Sequence, residues 1–182
     1  MNCENCVSFK TEKNKCVRWG TDTTPDNTCH EFAEDNRLRV VLDDGAIMPT
    51  RAYSTDAGLD IYAPYDVHIP GSWKGIEAAS LGSVVVDTGV HIEIPVGFVG
   101  MVKSKSGLNF KKDLITEGVV DAGYTGSIRL KIYNMGWRPQ TIKKGEKLTQ
   151  LVIMPIITPD LKLVDKLEDS ERGNGGFGST GK

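Results

Sequence analysis

Along most of the chain, short runs of alternating apolar and polar residues are separated by turn residues. Segment Ser127–Tyr133 alternates in this way, as a strand with one buried face does. Glycine, proline and aspartate interrupt the runs at close intervals, for example at Asp43-Asp44-Gly45. The pattern predicts these strands: Arg37–Leu42, Leu59–Tyr62, Asp66–Ile69, Ser83–Val86, Val90–Ile94, Phe98–Val102, Ser127–Tyr133, Lys147–Met154 and Asp160–Val164.

No long window has the periodicity of a helix, which excludes a Rossmann fold and a TIM barrel. Many short strands over residues 37–164 predict an all-β domain, either a barrel or a double-sheet jelly roll. Segment Gly71–Ser80 lacks a strand pattern and predicts a surface excursion, whereas Val119–Ile128 predicts a hairpin.

Composition and charge narrow the classes of partner. The chain has 182 residues, of which 39% are hydrophobic and 25% charged, so we expect one globular domain with a small appendage. Its apolar runs fall well short of the ~20 residues that span a bilayer, and the first residues do not form a secretory signal. A net charge of −2 disfavours non-specific binding of nucleic acid or membrane surfaces. We expect a cytoplasmic protein.

The cysteines separate a head (residues 1–36) from a body without cysteine (37–164). An arm (165–182) follows the body. All four cysteines lie in the head, with a histidine after the last: Cys3, Cys6, Cys16, Cys29 and His30. Without a secretion signal, disulfides are disfavoured, and the spacing predicts a structural Zn²⁺ held by the cysteines, with His30 as an alternative ligand. An iron–sulfur centre and unliganded cysteines are the alternatives.

The head has seven acidic and four basic residues, which argues against a zinc finger that binds nucleic acid and leaves a place where a protein partner could dock.

The end of the arm, Arg172–Lys182, contains five glycines. This composition is typical of a disordered tail. It also suits a segment that becomes ordered over an anionic, aromatic ligand, with Arg172 on a phosphate, Phe177 on a base, and Ser179 and Thr180 donating hydrogen bonds.

Five separated motifs resemble those of the trimeric dUTP diphosphatase (dUTPase) family, in the family's order. They are Ala57-Gly-Leu-Asp60-Ile-Tyr-Ala63, Lys105-Ser106-Gly107-Leu108, Gly118-Val-Val-Asp121-Ala-Gly-Tyr124-Thr-Gly126, Gly145-Glu-Lys-Leu-Thr-Gln150-Leu151, and Arg172 through Gly181. The resemblance implies a jelly-roll protomer, a homotrimer, dependence on Mg²⁺, and hydrolysis of dUTP to dUMP and pyrophosphate. This reaction keeps uracil out of DNA and supplies dUMP for dTTP synthesis.

The resemblance also implies roles for single residues. Asp121 resembles the general base that activates the attacking water, although an aspartate before Ala-Gly can also be a plain turn residue. Tyr124 resembles the residue that packs against deoxyribose, and the hairpin's backbone resembles the part that pairs with uracil. The remaining matches are Gly118 and Val120 at the base; Lys105, Ser106, Gly107 and Gln150 at the phosphates; Asp60 at Mg²⁺ through water; and Arg172, Phe177, Gly178, Ser179 and Thr180 over the bound substrate.

Two lysines bear on the choice of family: Lys105 differs from the usual dUTPase residue, and Lys131 differs from the residue that a dCTP deaminase needs. Lys105 stands where the family usually has arginine, and it lacks the planar fork of a bidentate phosphate contact. A dCTP deaminase, which shares this fold, needs a glutamate where this chain has Lys131, so deamination is disfavoured. A third hypothesis is a regulatory protein that uses dUTP as a switch. We interpret His68 and His91 as structural residues on strands.

Overall fold

The computed structural model describes residues 9–10, 15–16, 37–74 and 79–176, and almost all of its regular structure is β. The strands are β1 Phe9–Lys10, β2 Lys15–Cys16, β3 Val40–Leu42, β4 Gly58–Tyr62, β5 Val67–Ile69, β6 Trp73–Lys74, β7 Ala79–Ser80, β8 Gly82–Asp87, β9 Val90–Ile92, β10 Phe98–Ser104, β11 Leu114–Asp121, β12 Arg129–Asn134, β13 Gln140–Ile142 and β14 Lys147–Pro155. One helix, α1 Ser106–Lys112, follows β10.

Six strands form the main sheet, in the order β4-β14-β10-β11-β12-β8, with every neighbouring pair antiparallel. Strands β13 and β5, β3 and β9, β6 and β7, and β1 and β2 form two-stranded sheets. Strand β12 shows why one face of the sheet is buried. Leu130 and Ile132 are buried, whereas Arg129 and Lys131 between them are exposed, as the alternation predicts.

The core is a single aliphatic cluster lined by the main sheet and by β5, β9 and β13. Its members include Ile61, Ile92, Ile132, Ile142 and Leu151, each at most 2% exposed. Branched side chains on several strands interdigitate here, and their burial is the main source of stability for a body with little helix. The prediction of an all-β body is confirmed.

The strand predictions are correct for eight segments within a few residues at each end. The ninth, Asp160–Val164, is wrong: this segment is not a strand, and Leu161 and Leu163 are each 99% exposed. It has the sequence of a strand, but within the described residues it pairs with no other strand. Strands β11 and β13 were not predicted as units, because Glu117-Gly118 interrupts the first and the second has three residues.

Segment Gly71–Ser80 also differs from expectation, because β6 and β7 pair within it, Trp73 opposite Ser80. The excursion is anchored where Ser72 donates its N–H to the Gly136 carbonyl at 2.8 Å. Helix α1 is too short to show periodicity in the sequence. It ends because Asp113 adopts a left-handed conformation (φ 53°) and donates its N–H to the Asn109 carbonyl.

Within the described residues, no helix has the length and apolar content needed to cross a bilayer.

Candidate active site

The first part of the candidate site is a buried carboxylate on the main sheet. Asp60 on β4 lies opposite Gln150 on β14, and Gln150 lies opposite Lys103 on β10. Directly opposed residues share a face of the sheet, so the first and fourth motifs meet here although they are far apart in sequence. Asp60 is only 4% exposed.

Two lysines bind the Asp60 carboxylate, one at each oxygen. Lys105 Nζ donates to Oδ1 at 2.8 Å, and Lys147 Nζ lies 2.6 Å from Oδ2. Burial alone would raise the pKa of the Asp60 carboxyl, but the hydrogen bonds and charges of the two lysines outweigh it and hold the pKa below its ordinary value. The hydrogen bond to Asp60 likewise raises the pKa of Lys147. The carboxylate is therefore ionised, and so is Lys147.

Lys147 was not singled out in the sequence, because a lysine near the start of a strand is usually a solvated surface residue. Its position in the fourth motif, three residues before Gln150, was the available signal. Gly58 was also missed. A methyl group there would come within 2.9 Å of Gln150 Oε1, so glycine makes room for the Gln150 side chain.

The second motif forms the turn from β10 into α1. Lys105 is the N-cap, without a side-chain cap hydrogen bond, and Ser106 and Gly107 begin the helix. The first backbone N–H groups of a helix have no partner within it and favour an anion. Ser106 and Gly107 are exposed, and a methyl group at Gly107 would meet no described atom within 4 Å. A phosphate could approach this backbone closely.

The third motif lies at the other end of the same strands. Asp121 ends β11 opposite Val99 near the start of β10. Beside it, a cleft of about 230 Å³ is lined by residues that include Gly118, Val120 and Tyr124. Strand β12 pairs with β11 only from Leu114 to Thr116, so beyond that point β11 has a ladder partner on the β10 side alone. This open backbone edge overlaps the start of the predicted hairpin, Val119–Ile128.

Tyr124 is held over the turn that follows Asp121. Its N–H donates to the Asp121 carbonyl at 3.2 Å, and its hydroxyl donates to the Ser127 carbonyl at 2.9 Å. The ring lies against Gly126, where a methyl group would come within 2.5 Å of the Tyr124 hydroxyl oxygen. Tyr124 is still 42% exposed, so part of it remains free to meet a ligand.

Thr116 lies two residues before Gly118, on the buried face of β11. It is 3% exposed, and its hydroxyl oxygen is buried without a hydrogen-bond partner in the described part of the chain. Its backbone is occupied by Ser104, whose hydroxyl donates to the Thr116 carbonyl and accepts from the Thr116 N–H. Thr116 faces the core and does not line the cleft.

Several predicted residues lie at or beyond the limits of the described structure. Arg172 is exposed and donates from Nε to the Gly175 carbonyl at 3.1 Å. The rest of the predicted tail contacts, Phe177, Gly178, Ser179 and Thr180, lie outside the described residues, as do Cys3, Cys6, Cys29 and His30. Cys16 ends β2, opposite Phe9 on β1. Within the described residues, no group of three or more potential metal ligands occurs.

An all-β body with a lysine-bound carboxylate and an open helix start beside it defines a protein suited to a phosphorylated ligand. The comparisons with known proteins agree: the chain belongs to the dUTPase family, whose profile matches residues 44–181. It is 40% identical to the deoxyuridine 5'-triphosphate nucleotidohydrolase of Saccharomyces cerevisiae, over 75% of this chain and 88% of the yeast protein. It is 38% identical to that of Paramecium bursaria Chlorella virus 1, over 77% of this chain and 94% of the viral protein.

Solved structures give the same result. The dUTPase of Staphylococcus bacteriophage 80alpha with dUpNHpp aligns with a TM-score of 0.71 and 34% identity, over 81% of this chain and all of the phage protein. A mutant dUTPase from phage phi11 of S. aureus aligns with a TM-score of 0.63 and 32% identity, over 74% of this chain and all of that protein. That structure is described as revealing the coordination of a structural Mg(II) ion. The expected jelly-roll-like fold is confirmed.

Proposed function

We propose that this protein hydrolyses dUTP to dUMP and pyrophosphate, by attack of water on the α-phosphorus. The main support is the family match, which spans residues 44–181 and every motif, together with relatives named for this reaction. The enzyme keeps uracil out of DNA and supplies dUMP for dTTP synthesis.

Asp121 is the general base in this proposal. Its side chain is exposed at the end of β11 and next to the cleft, where a carboxylate can meet both water and a bound nucleotide. A general base at this place contributes about 10²–10⁴-fold to the rate. The neighbouring Tyr124 ring packs against deoxyribose, and a 2′-hydroxyl would collide with it.

The base is recognised by the open edge of β11. Gly118 and Val120 line the cleft along the stretch of β11 that β12 no longer pairs, where the backbone donors and acceptors of the open edge have no strand partner. Cytosine presents a different donor and acceptor pattern from uracil. Buried backbone groups would then be left unpaired, which makes such a site selective.

The phosphates are bound by Lys105, Ser106, Gly107 and Gln150. Asp60 and Gln150 carry oxygen atoms of the kind that Mg²⁺ prefers, and Asp60 would hold the ion through water. Mg²⁺, when bound with the substrate, neutralises charge on the phosphates. For the carboxylate to serve in this way, Lys105 moves from Asp60 to a phosphate while Lys147 stays and keeps Asp60 ionised.

The protein acts as a homotrimer with active sites shared between subunits. In one chain, Asp121 lies near the start of β10, whereas Lys105 and Ser106 follow its end. At about 3.3 Å per residue, the two ends of β10 are about 20 Å apart, so one chain does not bring base and phosphate contacts together. Neighbouring copies related by a closed rotation supply the missing half.

Exposed apolar groups support this assembly. The arm leaves the body with Leu161 and Leu163 fully exposed, and Val119 is 59% exposed on the main sheet. Beside β3, a cavity of about 670 Å³ has a mainly apolar lining that includes Leu38, Val40 and Phe98. In the proposed trimer, leucines of a neighbouring copy's arm bind at this cavity, and Arg172 and Phe177 to Thr180 then reach a neighbour's active site.

A regulatory role beside hydrolysis is a second candidate. The structure of the 80alpha dUTPase is described as showing that phage dUTPases control transfer of virulence genes by a G protein-like mechanism. The head of our chain would then be where a protein partner docks. Deamination stays disfavoured, because Lys131 lies on the outer face of β12 with Nζ 5.1 Å from the Tyr133 ring centroid.

The decisive experiment measures pyrophosphate and ammonia separately, with dUTP, dCTP and dTTP in the presence of Mg²⁺. We expect pyrophosphate from dUTP and no ammonia from dCTP.

In the same assay, Asp121→Asn should lower kcat by at least ~10²-fold while binding of a non-hydrolysable dUTP analogue and Mg²⁺ is retained, because the change removes only the base. The control is Asp113→Asn. If Asp121→Asn kept more than about a tenth of the wild-type kcat, Asp121 would not be the base.

A further inference from the structure

The loop between β11 and β12, residues 122–128, is held in place by hydrogen bonds to residues of β8, of β9 and of the turn between them. Thr88 donates its hydroxyl to the Ile128 carbonyl at 2.7 Å, and Ser127 donates its hydroxyl to Asp87. His91 on β9 donates from Nδ1–H to the Thr125 carbonyl at 2.8 Å. The loop that carries Tyr124 therefore takes its position from side chains outside the five motifs.

His91 makes a second hydrogen bond, which gives it a distinct chemical character. Nε2–H donates to Asp43 Oδ2 at 3.2 Å. A neutral imidazole has one N–H, so a ring that donates from both nitrogens is protonated. The charged groups around it are Asp43 after β3, Asp87 at the end of β8, and Arg129 on β12, which faces Asp87.

These contacts favour the charged form of the ring. The hydrogen bond to Thr125 and then the one to Asp43 raise the pKa of His91 above its ordinary value, and the charges of Asp43 and Asp87 act in the same direction. The ring is thus a cation in the lower part of the neutral pH range and becomes neutral as pH rises through this raised pKa.

We propose that protonated His91 is a positioning residue for sugar selection, because it fixes the Thr125 carbonyl and thereby the place of the Tyr124 ring. The inference rests on the proposed function, in which this ring excludes a 2′-hydroxyl. It assigns to His91 more than the structural role expected from the sequence.

The geometry shows why the Thr125 peptide controls the ring. Tyr124 lies against Gly126 on one side of Thr125, and its hydroxyl donates to the Ser127 carbonyl just beyond. A shift of the Thr125 carbonyl therefore moves both contacts of the Tyr124 ring, the one with Gly126 and the hydrogen bond to Ser127. When His91 loses a proton, its Nε2 lone pair faces the Asp43 carboxylate, the ring loses that anchor, and the Thr125 carbonyl is held less firmly.

The test measures kcat/KM for dUTP and for UTP between pH 6 and pH 9 and takes their ratio. The two nucleotides carry the same base and triphosphate, so their own ionisation cancels in the ratio. We expect the wild-type preference for dUTP to fall as pH rises through the pKa of His91. His91→Gln, which keeps one donor without a charge, should have a preference lowered by about fivefold at the acidic end, the effect of one hydrogen bond, and independent of pH.

His68→Gln is the matched control. His68 is also on a short strand and bonds a threonine, Thr141, but it does not touch the loop. This variant should follow the wild type at every pH.

A second pair of variants keeps the test decisive if His91→Gln folds poorly. Asp43→Asn removes one anchor of the ring, so the fall in preference should move to lower pH, and so should the imidazole titration of His91 followed by NMR. Asp44→Asn should move neither. A dUTP preference that His91→Gln leaves unchanged at every pH, or that Asp43→Asn does not shift, overturns the role of His91 alone. A wild type without preference for dUTP over UTP overturns both this role and that of Tyr124.

Discussion

At the scale of single residues, the site depends on one buried carboxylate shared by two lysines. Asp60 joins β4 to Lys105 at the start of α1 and to Lys147 at the start of β14. Lys105 and Lys147 are each partly exposed, whereas the Asp60 side chain is 5% exposed. The lysines can therefore reach outward to a ligand, and the carboxylate cannot follow them.

We predict that Asp60→Asn lowers the free energy of unfolding at pH 7 by about 2 kcal/mol, because hydrogen bonds to a charged group are lost in a buried place. Urea unfolding of the metal-free protein measures this loss. The control is Asp66→Asn, which removes an exposed pair with Lys143 and should cost much less. Equal losses of unfolding free energy in the two variants would show that burial of Asp60 does not strengthen its ion pairs.

The same comparison predicts a pH dependence. Because the pKa of Asp60 is lowered in the folded protein, its contribution is complete above the unfolded-state pKa of about 4 and is lost as pH falls through the folded pKa. The difference in stability between wild type and Asp60→Asn should be constant from about pH 5 to pH 8 and should shrink below about pH 4. A difference that grew on acidification would contradict the lowered pKa.

At the scale of elements, the Tyr124 ring in the loop after β11 packs against Gly126. We predict that Gly126→Ala displaces the Tyr124 ring and reduces the preference for dUTP over UTP, with little change in Tm, because the ring is partly exposed and can swing outward. Steady-state kinetics with both nucleotides and a thermal melt give the two readouts. Lys144→Ala, at an exposed position between β13 and β14 and outside the five motifs, is the control. An unchanged preference would mean that the ring does not select the sugar.

The elements also show what a sequence can predict. Strands with a clean alternation, such as β12, were predicted because burial of one face imposes that pattern. The motif residues were singled out because their types and order are specific to a family. The contacts of Lys147 and His91 were not recognised from the sequence. Their contacts, Asp60 and Thr125, are distant in sequence, and only the strand register brings them together.

The error at Asp160–Val164 has a different cause. An alternating apolar segment predicts a strand, but the pattern alone does not supply a partner strand, and this segment pairs with none in the described part of the chain. The pattern therefore described a segment whose partner is proposed to be another copy.

At the scale of the whole molecule, the proposed sharing of active sites predicts complementation between two inactive variants. A chain truncated after Glu171 lacks Arg172 and Phe177, and Asp121→Asn lacks the base. When the two are unfolded together and refolded as an equal mixture, about a quarter of sites should combine an intact base with an intact arm from another chain. Hydrolysis of dUTP by the mixture, compared with each variant refolded alone, measures this. No recovery in trimers verified as mixed by mass would place both groups of a site in one chain.

The head gives a second prediction at this scale. All four cysteines precede residue 37, and the matched family profile begins at residue 44. We predict one zinc per chain in the reduced protein, and its loss on deletion of residues 1–36 with dUTP hydrolysis retained. Elemental analysis and the pyrophosphate assay check the two halves. A full-length protein without zinc would contradict the metal, and an inactive deletion variant would show that the body depends on the head.

The position of β14 has a consequence for how the protein is made. This strand, Lys147–Pro155, lies between β4 and β10, and β4 has no other neighbour in the main sheet. During synthesis, β4 and β10 emerge long before the strand that joins them. At ~5–20 residues per second, the nascent chain therefore carries two unpaired strand edges for several seconds. Until β14 inserts, these edges are open to pairing with other chains, so the early body is a natural substrate for chaperones.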